Sequence, residues 1–196
     1  MNTLSTNKAL PRSPEMMSRG DTALLVVDMQ EKLVPAMTDG PRVAWNVRRL
    51  VDAAKAVGLP VVGTEQYPQG LGKTLPELAE RLGPVPSKLT FSCGCCPEIF
   101  EELRDRGVFK ILIVGVEAHV CVAQTAFDLL ADGWRVYVAA DAVGSRFELD
   151  CRTALARMDS AGATLTTTEA AMFEWCESAG ASEFQAIRRL VLERAP

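Results

Sequence analysis

Residues 22–28 read Thr-Ala-Leu-Leu-Val-Val-Asp, with five apolar side chains in a row at 23–27. A strand with one wet face alternates apolar and polar residues. This one does not, so both of its faces must be covered. That pattern predicts a central strand of a parallel sheet, flanked by helices on each side. The run Phe109-Lys-Ile-Leu-Ile-Val-Gly115 has the same character.

Around these two runs, helix and strand signals alternate. Pro41 can open a helix carrying Val43, Val47, Leu50, Val51 and Ala54 at helical spacing, closed by Gly58. Leu59–Thr64 reads as a second strand, Pro76–Leu82 as a short helix, Val85–Thr90 as a third strand, and Pro97–Arg106 as a helix stopped by Gly107. After the fourth strand at 109–115, a helix is expected from His119 to Asp132, then a fifth strand over Trp134–Ala140. Ser145-x-x-Glu148 reads as a capping box for a helix reaching Ala161. Thr164–Thr168 is expected as a sixth strand, and Ser182-x-x-Gln185 as the cap of a final helix carrying Phe184, Ile187, Leu190 and Val191. The layout predicts an α/β fold: a three-layer α/β/α Rossmann-like sandwich with a mostly parallel sheet. The domain is expected over 21–196. Residues 1–20, with Pro11, Pro14 and few large apolar side chains, are expected as a flexible N-terminal arm.

Composition narrows the function. The chain has 196 residues, a net charge of −4 and a single histidine, His119. Its isoelectric point near 5.2 argues against a nucleic-acid partner. No 18-residue apolar window exists, so no membrane partner is expected. One histidine cannot build a multi-histidine metal site. The six cysteines (93, 95, 96, 121, 151 and 176) lack the spacing of a disulfide framework, no secretory signal is visible, and the reading is a cytoplasmic protein with reduced thiols. Cys93-x-Cys95-Cys96 has no second ligand pair, so no metal or other cofactor is expected. Gly70-Leu-Gly72-Lys73-Thr74 lacks the spacing of a phosphate loop, and neither G-x-G-x-x-G nor G-x-S-x-G occurs.

In parallel α/β folds the ligand lies beyond the carboxyl ends of the strands. There the sequence places Asp28 after the first strand, Glu65, Gln66 and Tyr67 after the second, Lys88 in or after the third, and Gly115–Cys121 after the fourth. A carboxylate, an ammonium and a thiol form a chemically complete set. Cys121 near a helix start and a cation is expected to favour the nucleophilic thiolate, with Asp28 moving the proton. Taken singly, each also fits a bland role: an inert packed thiol, a loop carboxylate, a solvated lysine. His119 stands two residues from Cys121, where side chains on a helix diverge by roughly 200°, which disfavours a Cys–His dyad.

The segments LLVVDMQEKL (24–33), VVGTEQYPQGLGKTLPEL (61–78), SKLTFSC (87–93) and GVEAHVCVAQTAFDLL (115–130) resemble the isochorismatase-like cysteine hydrolases. The phrases TEQYP and EAHVCV are similar to the isochorismatase domain-containing subgroup. The resemblance implies an α/β/α fold and an Asp–Lys–Cys triad, which falls on Asp28, Lys88 and Cys121. It also implies a cis peptide at Val116–Glu117 and an oxyanion hole from the backbone amides of Glu117 and Cys121. Gln30, Gln66, Tyr67 and His119 are weaker candidates for the substrate pocket. The family's metal-binding branch carries histidines after the second strand. Here that stretch is TEQYPQGLGKT, without one. Leu33 replaces an aromatic residue common in the family. The implied function is metal-independent hydrolysis of a C–N bond in a small amide-like substrate through a thioester, by a homo-oligomer. A non-catalytic binding protein, a vinyl-ether hydrolase and a redox-sensing thiol protein are the alternatives.

Overall fold

The computed structural model describes residues 10–195. Six strands form one sheet: β1 (Thr22–Val27), β2 (Val61–Gln66), β3 (Ser87–Lys88), β4 (Lys110–Val116), β5 (Arg135–Gly144) and β6 (Thr164–Thr166). Their spatial order is β3-β2-β1-β4-β5-β6, and every pairing is parallel. Eight α-helices accompany them among the described residues: α1 (Gly40–Ala56), α2 (Pro68–Leu71), α3 (Pro76–Leu82), α4 (Pro97–Asp105), α5 (Ala123–Ala131), α6 (Glu148–Ser160), α7 (Thr168–Cys176) and α8 (Phe184–Val191).

The unbroken apolar run of β1 divides between two cores. Leu24 and Val26 face a cluster with α1, α3, α7 and α8, whereas Ala23, Leu25 and Val27 face one with α4, α5 and α6. β4 repeats the division, with Leu112 and Val114 on the first side and Ile111 and Ile113 on the second. Successive strand side chains point to opposite faces, so continuous apolarity is the sequence form of a three-layer sandwich. Where β1 meets β4, Val27 pairs with Gly115. Gly115 has φ +113°, and a Cβ there would lie 2.1 Å from the Val27 carbonyl oxygen, so only glycine permits this approach.

Several expectations are corrected. The third strand shrinks from Val85–Thr90 to two residues, because Pro86 has no N–H to give a ladder. β5 runs on to Gly144 with a register shift against β4. The helix expected from His119 opens instead with a π-helical turn over Ala118–Val122. α6 begins at Glu148 with Phe147 as its cap residue, so Ser145 does not cap it. α8 likewise begins without a side-chain cap from Ser182. α7 has no counterpart in the sequence reading, although Thr167 caps it through the Ala170 amide. The apolar face of α8 is covered within the chain: Ile187 is buried, and Phe184, Leu190 and Val191 pack on the α1/α7 core.

Residues 1–9 of the expected arm lie outside the described residues. From Arg12 the segment is tied to the domain. Arg12 pairs with Glu177, Met17 is fully buried, and the Met17 amide donates to Glu174 Oε2 at 2.7 Å. Among the described residues no helix is long and apolar enough to cross a membrane.

Candidate active site

Strand order reverses direction between β1 and β4, which opens a crevice beyond their carboxyl ends. Asp28 leaves β1 there in a left-handed conformation, φ +49°, which Asp adopts more readily than most residues. Its side chain is fully buried, and so is that of Lys88 from the edge strand β3. Lys88 Nζ donates to Asp28 Oδ2 at 2.7 Å, to Gln66 Oε1 at 2.8 Å and to the Phe91 carbonyl at 2.8 Å. An ammonium has three N–H groups, and all three are occupied. The second oxygen, Asp28 Oδ1, accepts from Thr64 Oγ1 at 2.8 Å.

Cys121 comes from the turn after β4 and is 5% exposed. Its thiol lies near enough to Asp28 to feel the carboxylate directly. The structure therefore gathers Asp28, Lys88 and Cys121 in one crevice. The electrostatics differ from expectation. Burial pushes the Cys121 thiol well up, the Asp28 carboxylate pushes it further, and Lys88 opposes only in part. At rest the sulfur holds its proton. The cation expected to favour a thiolate is committed to Asp28, so the carboxylate dominates the field at sulfur. Burial also works against the Lys88 charge. The field of the Asp28 carboxylate and its hydrogen bond outweigh it and hold the ammonium above the usual lysine range.

The Val116–Glu117 peptide is cis. It leads into the π-helical turn that carries Cys121. The Glu117 side chain is nearly buried, and its Oε2 accepts from the Arg146 amide at 3.1 Å and from Arg146 Nε at 3.2 Å. A cavity of about 160 Å³ lies against the triad. Leu33, Leu71, Phe91 and Val120 form its apolar walls, and Gln66, Glu117 and Cys121 its polar ones. A hollow of about 390 Å³ beside α4 and α5 is larger, but it is lined by Phe100, Arg104 and Asp128 and holds no member of the triad.

Of the weaker pocket candidates, Gln66 lines the cavity. Gln30 is fully buried beneath it: Oε1 accepts from the Gln66 amide at 2.7 Å, and Nε2 donates to the Gln66 and Gly72 carbonyls. It clamps the end of β2 instead of facing a ligand. Tyr67 is half exposed and does not line the cavity. His119 turns away from Cys121, with Nδ1 3.0 Å from Ser145 Oγ and Nε2 3.9 Å from Asp150.

Two neighbours of the triad were not selected from sequence. Thr64 holds Asp28, and Cys93 lies 3.4 Å from Thr64 Oγ1 with its amide on Thr125 Oγ1. Burial and the Asp28 carboxylate push the Cys93 thiol up to about 11, so it is a buried spectator thiol at neutral pH. The position of Thr64 near the end of β2 was a usable signal. Cys93 had none, since the loop after β3 sets its direction.

The isochorismatase domain family model matches residues 22–170. Isochorismatase domain-containing protein 2 of Pongo abelii is 39% identical over 179 residues, covering 90% of this chain and 86% of that protein. The structure of the MAR1 ribonuclease from Caenorhabditis elegans is 40% identical, with a TM-score of 0.87, covering 92% of this chain and 94% of that one. The YcaC gene product from Escherichia coli, described as an octameric hydrolase of unknown specificity, is 25% identical with a TM-score of 0.83, covering 93% of each chain. By a family match across most of its length and by relatives near 40% identity, the chain belongs to the isochorismatase family.

Proposed function

We propose that the protein is a metal-independent cysteine hydrolase that cleaves a C–N bond of a small amide-like substrate through a thioester. The observation that carries this is the placement of one buried carboxylate, Asp28, between a lysine with all its donors spent and the Cys121 thiol, which lines a half-open cavity.

The chemistry follows from that placement. Asp28 accepts the Cys121 proton as the sulfur attacks the substrate carbonyl carbon, so a charged thiolate need not accumulate. The amides of Glu117 and Cys121 receive the developing oxyanion, a contribution of ~10²–10³ in rate for a single donor in comparable sites. The C–N bond breaks as Asp28 returns its proton to the leaving nitrogen. Water then attacks the thioester carbonyl and gives a proton to Asp28. The sulfur leaves and recovers a proton from Asp28, releasing the acid. Lys88 holds Asp28 in place through its 2.7 Å bond to Oδ2.

The family and its E. coli relative support a general hydrolase role. The worm relative bears the name ribonuclease, which adds RNA to the substrates worth testing. The octameric relative supports a homo-oligomer. Six unpaired cysteines fit a reducing cytoplasmic compartment. The test is a panel of small amides, carbamoyl compounds and RNA, assayed with the wild type and Cys121→Ala. Amide turnover that vanishes in Cys121→Ala is expected. Turnover that survives intact would refute the cysteine mechanism and favour vinyl-ether chemistry resting on Asp28.

A further inference from the structure

The charges around the cavity add up in a way that selects a substrate. Lys88 is the cation of the triad, but its side chain is fully buried and its three N–H groups are spent on Asp28, Gln66 and Phe91. It has no donor left for a ligand. Gln66 is half committed: its Oε1 accepts from Lys88 and one Nε2 hydrogen donates to the Leu89 carbonyl at 2.8 Å, which leaves one neutral N–H. Apart from the amides assigned to the oxyanion, the polar lining that remains is Glu117, the one lining residue that carries a formal charge. Arg146 engages Glu117 Oε2, and Arg146 itself is 55% exposed, so it reaches the carboxylate from the solvent side. Oε1 has no hydrogen-bond partner among the described residues. The other walls, Leu33, Leu71, Phe91 and Val120, are apolar.

No lysine, arginine or histidine is among the described residues that line the cavity, and Arg146, the counter-ion of Glu117, stands outside that lining. A ligand carboxylate would enter a low-dielectric cavity with no free cation and a carboxylate on the wall. The volume, about 160 Å³, equals about five waters at ~30 Å³ each and falls below the ~300–1,000 Å³ of typical drug-sized sites.

From this geometry we infer that the pocket takes a small acyl compound with an apolar body and no anionic group, and that the Glu117 side chain is the residue that rejects anions. The inference deepens the cysteine-hydrolase reading and rests on the same cavity. A primary amide or a cationic amine suits it. A compound bearing a carboxylate or phosphate does not, and a nucleotide fails on both charge and size.

The test uses two alkylating reagents of nearly equal size, neutral iodoacetamide and anionic iodoacetate. Their rates at Cys121 are followed by peptide mass mapping of the full-length protein at one alkaline pH. Exposed Cys95 in the same sample serves as the reference for their intrinsic reactivities. The iodoacetamide-to-iodoacetate ratio should be at least about tenfold larger at Cys121 than at Cys95. In Glu117→Gln, which keeps an acceptor for Arg146, the two ratios should converge. Equal ratios in the wild type, or a ratio unmoved by Glu117→Gln, would overturn the inference.

A second measurement separates this inference from the nucleophile assignment. Butanamide and its carboxylated analogue succinamate are titrated into the Cys121→Ala protein, with the Gln66 and Phe91 amides followed by NMR. Butanamide alone should perturb them. Succinamate binding as well or better would defeat the charge argument while leaving the cysteine mechanism standing. Failure of both reagents to modify Cys121, with butanamide still bound, would defeat the nucleophile and leave the pocket assignment intact.

Discussion

Replacing Lys88 by Met tests how the triad is held. Methionine fills most of the space of the lysine stem but removes its charge and three donors. Asp28 then loses its bond at Oδ2 while remaining fully buried, and the Gln66 Oε1 and Phe91 carbonyl acceptors lose theirs. Removing one partner of a buried ion pair costs ~3–5 kcal/mol, most of it from the uncompensated charge that stays behind. In a chain of this length about 2–4 °C is lost per kcal/mol, so Tm should fall by roughly 6–20 °C. The loss should be read from urea unfolding at fixed protein concentration. The double variant Asp28→Asn with Lys88→Met removes the stranded charge and should recover at least ~2 kcal/mol of it. A Lys88→Met protein as stable as the wild type would refute the reasoning. So would a double variant less stable than Lys88→Met alone, because the cost would then come from packing and not from charge.

Two pH effects follow from the same structure. Because burial and Asp28 push the Cys121 thiol up, its alkylation by iodoacetamide should still be rising at about pH 9 instead of levelling near neutrality. A plateau near pH 7 would show a resting thiolate. At Glu65, burial pushes the carboxyl up, but the Thr74 amide at 2.7 Å, the Thr74 hydroxyl at 2.8 Å and Lys73 outweigh it, and the net direction is down. A carboxyl depressed on folding lends stability above its unfolded value near 4.5. That stability is lost as pH falls through the lower folded value. Glu65→Gln should therefore lose stability at pH 7 but show a shallower acid decline in urea midpoints between pH 7 and pH 3. An unchanged acid profile would count against this linkage.

Where the sequence misled, the cause was usually a local signal outweighed by tertiary contacts. The capping-box pattern at Ser145 is valid in isolation, yet Ser145 Oγ pairs with His119 Nδ1 and α6 starts later. α7 escaped notice because exposed Phe173 interrupts the apolar stripe of Ala171, Met172 and Trp175. Gln30, Tyr67 and His119 sit at the right sequence positions for a pocket, but side-chain direction at a strand end depends on the backbone turn, and each turns elsewhere.

By itself the sequence determined the layered fold, since runs that are apolar on both faces have no alternative but a covered parallel sheet. It also pointed to Asp28, Lys88 and Cys121 as neighbours, because strand ends in such a sheet converge on one crevice. Only the tertiary structure decided the surroundings of these groups and the character of the pocket. Proton affinity depends on burial and on which partners exhaust which donors. The bonds of Lys88 to Asp28 and Gln66 and the upward push of Asp28 on the Cys121 thiol join segments more than twenty residues apart in the chain. No local pattern encodes those distances.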